Sequence, residues 1–469
     1  MFVERFFVEG LAHASYLFGK DGEAAVVDPK RDVADYLTAA ERRGVKIVAI
    51  FETHPHADFV SGHVDLANQT GAPIYVSEKY PAHFVHRKLK HGASVSVGGL
   101  EVVSLDTPGH SPDSMSWFVE DGDERVVFSG DILFVGDVGR PDLRDMHADP
   151  RQMAGALYDS LHQKFWQLPD DTVVYPAHGA GSLCGRKLGS APSSTIENEK
   201  RGNWANLFRS REEFVDAMVS NLPDRPLFFF KSPFVNLAGP KPLAEVTKPR
   251  MLAAETLLRD HGGATLLDTR AAAEYGVRHL LGSLNVGLNL PVFSTWVGTF
   301  LGPEDPVVLV VENPEDAEQA WLELARIGYE NVLGYVLPNP DEWLAAGLPV
   351  SETPQLEVCC VDQWVKEGRR LLDVRTPGEW NTGAVEGAHW IPLSKLPARM
   401  SEVPAGPLAV MCGSGYRSSI AVSLLERAGR TDVVNIPGGW SAYSRRHCSE
   451  PDAQDLFCQS LFDRMPVNA

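Results

Sequence analysis

The chain of 469 residues is poor in cysteine: it has six, Cys184, Cys359, Cys360, Cys412, Cys448 and Cys458. Their spacing shows no disulfide framework, which excludes a small cysteine-stapled secreted scaffold. Reduced thiols in a cytoplasmic setting are the expectation, with Cys359, Cys360, Cys448 and Cys458 as surface thiols by default. Cations are also scarce, with 43 Lys and Arg against 62 Asp and Glu and a net charge of −19. Phosphate binding needs a basic field, so nucleic acid is excluded as a partner. No apolar run reaches membrane-spanning length. The start, Met1-Phe2-Val3-Glu4-Arg5-Phe6-Phe7-Val8, alternates like a strand and lacks a signal-peptide layout. No membrane partner is expected. What remains is an ordinary globular composition, 44% hydrophobic and 22% charged, in a chain too long for one core; two to four domains follow.

The richest segment is Thr53-His54-Pro55-His56-Ala57-Asp58-Phe59. Side chains at i, i+2 and i+4 project from one side of an extended segment. The apolar run Ile47-Val48-Ala49-Ile50-Phe51 before it reads as a buried strand. Three further segments put ligand types after strand-like runs: Thr107-Pro108-Gly109-His110-Ser111, Ser129-Gly130-Asp131 and Tyr175-Pro176-Ala177-His178-Gly179. Small residues beside each ligand let the backbone fold closely around an ion. Strand ends are where α/β proteins build sites.

This set resembles the metallo-β-lactamase superfamily, whose signature is H-x-H-x-D-H; the last histidine is Phe59 here. Phenylalanine offers no lone pair, so a second metal should be weak or absent. Within the superfamily the resemblance is to persulfide dioxygenases, which hold one iron with two histidines and one aspartate and leave positions open for O₂ and substrate. Carried over by position, it implies one Fe(II) on His54, His110 and Asp131, with zinc as the alternative, and supporting roles for His56, Asp58 and His178. Many persulfide dioxygenases keep the histidine that is Phe59 here. Gly136-Asp137-Val138-Gly139-Arg140-Pro141-Asp142 resembles the family's substrate-side loop. Arg140 there is a candidate to fork onto a substrate carboxylate, against a salt bridge to Asp142 or Asp137. Cys184, soon after His178, is a candidate contact for substrate sulfur, against inert packing.

A Pro-rich stretch from Lys231 to Pro249 reads as a connection. Beyond it the chain repeats: Leu266-Leu267-Asp268-Thr269-Arg270 recurs 105 residues later as Leu371-Leu372-Asp373-Val374-Arg375. Glu274-Tyr275 and Glu379-Trp380 share the offset. A period this long is a duplicated domain, and its alternating strand and helix patterns predict a small α/β fold with a parallel sheet.

In the second copy Leu408-Ala409-Val410-Met411 leads into Cys412-Gly413-Ser414-Gly415-Tyr416-Arg417-Ser418-Ser419 and then a helical pattern. A cysteine feeding a helix N-terminus sees unpaired N–H groups and the positive dipole end, both favouring thiolate. The glycines let those groups curl around an anion, and Arg417 adds positive charge. The loop resembles that of rhodaneses, with Cys412 as sulfur carrier, Arg417 beside it, Gly413, Ser414, Gly415, Tyr416 and Ser418 as cradle, and Asp373 and Arg375 in support. Cysteine-dependent phosphatases have a loop one residue longer. In the first copy, aligning Val307–Val311 with 407–411 places Glu312 at the position of Cys412, so that copy is read as catalytically silent and as packing material.

The resemblance thus implies an αββα metallo-β-lactamase sandwich over 1–248, a silent rhodanese-like domain over 249–352 and an active one over 353–469, both α/β with parallel sheets. It implies oxidation of a glutathione, bacillithiol or coenzyme A persulfide by O₂ to sulfite, coupled at Cys412 to thiosulfate formation or sulfur exchange, in sulfide detoxification. A homo-oligomer is compatible with it. Two other readings stay open: a two-metal thioester hydrolase of the hydroxyacylglutathione hydrolase type, and a non-enzymatic sulfur carrier or sensor.

Overall fold

A computed structural model describes residues 1–143, 149–220, 222, 225–261, 263–446 and 454–465. The backbone divides into two compact units, one of residues 1–247, 294–303 and 322–330, the other of 248–293, 304–321 and 331–469.

The first unit is built on strands buried on both faces. Along His13–Lys20, Tyr16 and Phe18 point to one side and Leu17 to the other; along Glu23–Val27, Ala25 and Val27 oppose Ala24 and Val26. This is the period-2 alternation of a strand, with apolar residues in both registers because each face is covered. Two six-stranded sheets result. In one, Phe2–Val8, His13–Lys20, Glu23–Val27, Lys46–Phe51, Ile74–Ser77 and Arg87–Leu89 lie side by side in chain order. In the other the order is Ser194–Thr195, Val173–Pro176, Glu124–Gly130, Met115–Asp121, Leu100–Asp106 and Ser94–Val97. Their inner faces share a core around Tyr16, Phe18, Phe51, Trp117 and Phe128. Helices Ala34–Arg43 and His63–Thr70 cover one outer face, and Pro150–Gln163 and Arg211–Val219 the other. The layering is αββα.

The second unit contains the repeat. Leu284–Asn285, Thr265–Asp268, Val307–Val310 and Val332–Val336 form a four-stranded parallel sheet. His389–Trp390, Arg370–Asp373, Leu408–Met411 and Val433–Asn435 form another in the same order. Among the described residues no helix is long and apolar enough to cross a membrane.

Three expectations need correction. First, thiols: Cys360 and Cys458 form a disulfide with Cα atoms 5.8 Å apart, and Cys359 is also disulfide-bonded. Cys360 and Cys458 are buried. They are 98 residues apart in sequence, and docking of helix Gln454–Arg464 onto this domain's core brings them together, which spacing cannot reveal. Cys448 lies outside the described residues. Second, the stretch after Lys231 is more than a connection: Ser232–Ala238 is a helix with Asn236 fully buried. Third, the silent copy's alignment slips by one. Asp268 pairs with Val310 and Asp373 with Met411, so Val311, not Glu312, stands where Cys412 stands. Valine is no more a nucleophile than glutamate is.

Candidate metal centre and cysteine loop

All four ligand-bearing segments lie just past strand ends on one rim of the sandwich. His54 follows Lys46–Phe51, His110 follows Leu100–Asp106, Asp131 follows Glu124–Gly130 and His178 follows Val173–Pro176. Gly130 turns at φ +57°, and a Cβ there would sit 2.8 Å from Thr53; only glycine lets the Asp131 turn lie this close to the His54 segment.

His54, His110 and Asp131 offer ligand atoms within 4.8 Å of one another, all buried. The Nε2 atoms of His54 and His110 converge on Asp131 Oδ2 at 3.8 and 3.6 Å. The His54 tautomer follows from its neighbours. Asp28, in a left-handed backbone conformation (φ 49°), turns its carboxylate onto Thr53, accepting from N at 2.7 Å and from Oγ1 at 2.8 Å. The Thr53 hydroxyl hydrogen is thereby committed, so at the 3.0 Å contact His54 Nδ1 is the donor and its Nε2 keeps a lone pair. Burial, outweighing the nearby Asp131, pushes His110 below its ordinary range and favours the neutral ring a metal needs.

A second cluster adjoins the first. His56, Asp58 and His178 also lie within 4.8 Å of one another, and so do Asp131, His178 and Cys184. Asp131 Oδ1 faces His178 Nε2 at 3.5 Å, and Asp58 Oδ2 faces it at 3.3 Å. Both oxygens of Asp131 and of Asp58 are buried with no hydrogen-bond donor among the described residues. Uncompensated buried carboxylates are costly, so this donor set fits a bound cation. Phe59 offers no donor to this cluster and packs its ring 4.3 Å from that of His56 and 3.9 Å from that of His13. His56 also has a carboxylate partner, with Nε2 3.2 Å from Asp28 Oδ1. Burial alone would lower its pKa, but the Asp28 carboxylate prevails and lifts it to about 9, favouring the imidazolium that has no lone pair to give.

The two substrate candidates fare differently. Arg140 is buried and forks onto Asp142 at 2.7 and 2.8 Å, so the ion-pair alternative is what the structure shows. Cys184 is buried against the ligand cluster; burial first, then the Asp58 and Asp131 carboxylates, push its thiol well above its ordinary value, so it stands as a neutral thiol.

Sequence reading missed Asn236. Its Nδ2 donates to the carbonyls of His56 and Phe59 at 2.9 and 2.8 Å, and its Oδ1 accepts from Ser61 N at 2.8 Å. One side chain therefore pins the loop that carries His56 and Phe59, from 177 residues downstream of Phe59. Nothing local in the sequence marks it. Asp28 and His13 were missed for the same reason.

The cysteine loop is the second site. Cys412 is fully buried at the end of Leu408–Met411. Gly415 N approaches its Sγ at 3.1 Å and Ser418 Oγ at 3.4 Å. Gly439 (φ +51°) packs under the loop, and a Cβ there would fall 2.3 Å from Cys412 O. Helix Tyr416–Arg427 starts at Gly415 with no side-chain cap, and the Gly415 N–H of that cap meets the sulfur. Arg417 is committed to Glu379, at 2.6 and 2.7 Å. Arg375 likewise pairs with Asp373 and donates to the carbonyls of Glu379 and Gly383. In the first copy the helix N-terminus is occupied by its own chain, because Asp316 N donates to Asn313 Oδ1 at 2.9 Å.

Comparison with known proteins agrees with this geometry. Residues 8–178 match the family described as Metallo-beta-lactamase superfamily, and residues 253–336 and 360–446 each match the Rhodanese-like domain. A solved metallo-beta-lactamase from Staphylococcus aureus subsp. aureus COL is 31% identical, with a TM-score of 0.66, covering 72% of this chain and 99% of that one. The mitochondrial persulfide dioxygenase ETHE1 of Mus musculus is 28% identical over 213 residues, 45% of this chain and 77% of the relative. A hydroxyacylglutathione hydrolase of Methylobacillus flagellatus is 34% identical over 213 residues, 45% of this chain and 76% of the relative. The chain belongs to the metallo-β-lactamase superfamily, with rhodanese-like domains joined behind the metallo-β-lactamase fold.

Proposed function

We propose that this protein is a persulfide dioxygenase joined to a sulfurtransferase, organised as 1–248, a silent 249–352 and an active 353–469. The observation that carries the reading is the asymmetry of the two donor clusters: a complete His54–His110–Asp131 triad beside a second cluster to which Phe59 offers no donor. The persulfide dioxygenase relatives and the rhodanese-like domains support the same substrate class.

Iron held by His54, His110 and Asp131 would supply the activation of O₂. The overall change is RSSH + O₂ + H₂O → RSH + sulfite + 2 H⁺, in which the outer sulfur loses four electrons and O₂ gains them. The protein's own residues do the positioning. Thr53 and Asp28 set the His54 ring, Asn236 holds its loop, and Phe59 packs an apolar ring against His13 and His56. Cys184, a neutral thiol beside Asp131, would contact a persulfide sulfur. At the other site the Cys412 thiolate attacks the outer sulfur of RSSH, the RS–S bond breaks, RSH leaves with the proton, and the outer sulfur stays on Cys412 as a persulfide anion. Sulfite then attacks that sulfur, the S–S bond breaks, and thiosulfate leaves with the Cys412 thiolate restored. The partners are accordingly a glutathione, bacillithiol or coenzyme A persulfide, O₂, sulfite and thiosulfate.

Oxygen uptake with glutathione persulfide tests this. Iron near one equivalent with uptake in wild type and none in His110→Ala is the expected result. Two tightly held zinc ions and thioester hydrolysis without uptake would establish the hydrolase reading instead, which the surviving Asp58–His178 pair and the hydroxyacylglutathione hydrolase relative favour.

A further inference from the structure

The silent copy keeps no nucleophile, yet its second strand faces the helix that follows Cys412. That helix, Tyr416–Arg427, touches the silent copy along one stripe. Tyr416 Oη donates to Gly287 O at 3.0 Å, Ser419 Oγ to Asn285 Oδ1 at 2.6 Å, and Asn285 N to Ser423 Oγ at 3.0 Å. One turn on, Glu426 meets His279 Nε2 at 2.8 Å and Ser351 Oγ at 2.6 Å. Positions 416, 419, 423 and 426 are spaced as one face of a helix.

Asn285 is the distinctive member. It is 1% exposed and its Nδ2 donates to the carbonyls of Asp268 and Arg270 at 3.1 and 3.0 Å. The residue 105 positions on, Trp390, performs the equivalent task in the active copy, its indole donating to Arg375 O at 3.0 Å. Trp390 has only a donor to give. Asparagine at this place does the same bracing and keeps an acceptor, and the acceptor is spent on Ser419.

We propose that Asn285 of the silent copy is a positioning residue for Cys412: by holding Ser419 and Ser423 it fixes the N-terminus of the helix from which Gly415 N and the Ser418 hydroxyl reach the sulfur. The influence of a helix N-terminus is confined to its first turn. Ser419 and Tyr416 lie in that turn, and Gly415 N is 3.1 Å from Sγ, so a small displacement of the helix changes what the thiol meets. The significance of the device rests on the sulfurtransferase reading; its test does not.

The test is the rate of Cys412 carboxamidomethylation by iodoacetamide in the full-length protein, without sulfur donor or substrate, with the labelled peptide identified by mass spectrometry. Asn285→Ala and Ser419→Ala each lose the 2.6 Å hydrogen bond. Both should slow alkylation about three- to tenfold, the usual reach of one buried hydrogen bond, and the double variant should be no slower than the worse single one. If Asn285→Ala fails to fold, Ser419→Ala decides, because it leaves the bonds to Asp268 and Arg270 in place. Rates within twofold of wild type in a folded Ser419→Ala overturn the proposal, even if its melting temperature falls. Faster alkylation overturns it too, since it would mean that the contact merely covers the thiol. A chain that transfers no sulfane sulfur yet shows the slowed alkylation would refute the proposed function and leave this inference standing.

Discussion

Arg417 and Glu379 form a two-pronged ion pair, Nη2 to Oε1 at 2.6 Å and Nη1 to Oε2 at 2.7 Å, at the mouth of the Cys412 loop. The arginine expected to lend its charge to the sulfur is thus neutralised by a carboxylate from another element. Gly415 N, 3.1 Å from Sγ, is the backbone donor that meets the sulfur.

This pair has a pH signature. The hydrogen bonds from Arg417 lower the Glu379 carboxyl from an ordinary 4.5 to about 2. A carboxyl whose folded value is depressed adds stability that is complete above its unfolded value and is lost as pH falls through the folded one. Glu379→Gln should therefore lower the urea midpoint at pH 7, and the difference from wild type should close between about pH 4.5 and 2. Because the Glu379 side chain is 39% exposed, solvent screening keeps the effect at or below about 1 kcal/mol.

The metal cluster predicts one tightly held ion per chain. Asp131→Ala and His110→Ala should each lose it, measured by elemental analysis. In wild type, chelation should lower the melting temperature, because saturation at a hundred times the dissociation constant stabilises by about 2.7 kcal/mol.

Phe59→His tests the second cluster. Its ring abuts those of His56 and His13, beside Asp58 and His178. Restoring a donor there should raise the metal content toward two per chain, while Phe59→Leu leaves it at one.

The two sites should separate. Cys412→Ser is expected to abolish sulfur transfer and leave both iron content and O₂ uptake largely intact. Loss of iron in that variant would show that the sites are not independent.

Reduction should weaken the C-terminal domain. The Cys360–Cys458 bridge closes a separation of 98 residues, for which chain-entropy reasoning gives about 4.7 kcal/mol. Dithiothreitol, or Cys458→Ser, should lower the denaturant midpoint, and amide exchange should rise first in helix Gln454–Arg464.

How much was legible in the sequence differs from place to place. Ligand-bearing residues after strands, the period of 105, and a cysteine between a buried strand and a helix are local patterns, and the elements lie where those patterns put them. Arg140 shows where this stops: its two alternatives were equal on paper, and only folding brought Asp142 into a forked geometry with it. The silent copy's alignment slipped by one residue for a similar reason. Apolar runs look alike when shifted, and only the ladder opposite Asp268 and Asp373 sets their register.

The sequence by itself determined the chemistry available: two histidines and an aspartate at strand ends, a phenylalanine where a donor is usual, and a thiol at a helix start. Those are properties of residue type and short spacing. Tertiary structure alone decided which groups meet. Asn236 on the Phe59 loop, Asn285 on Ser419, Glu379 on Arg417 and Cys458 on Cys360 are each separated by 38 to 177 residues. Such partners carry no local mark, because only the folded backbone brings residues so far apart in sequence within bonding distance.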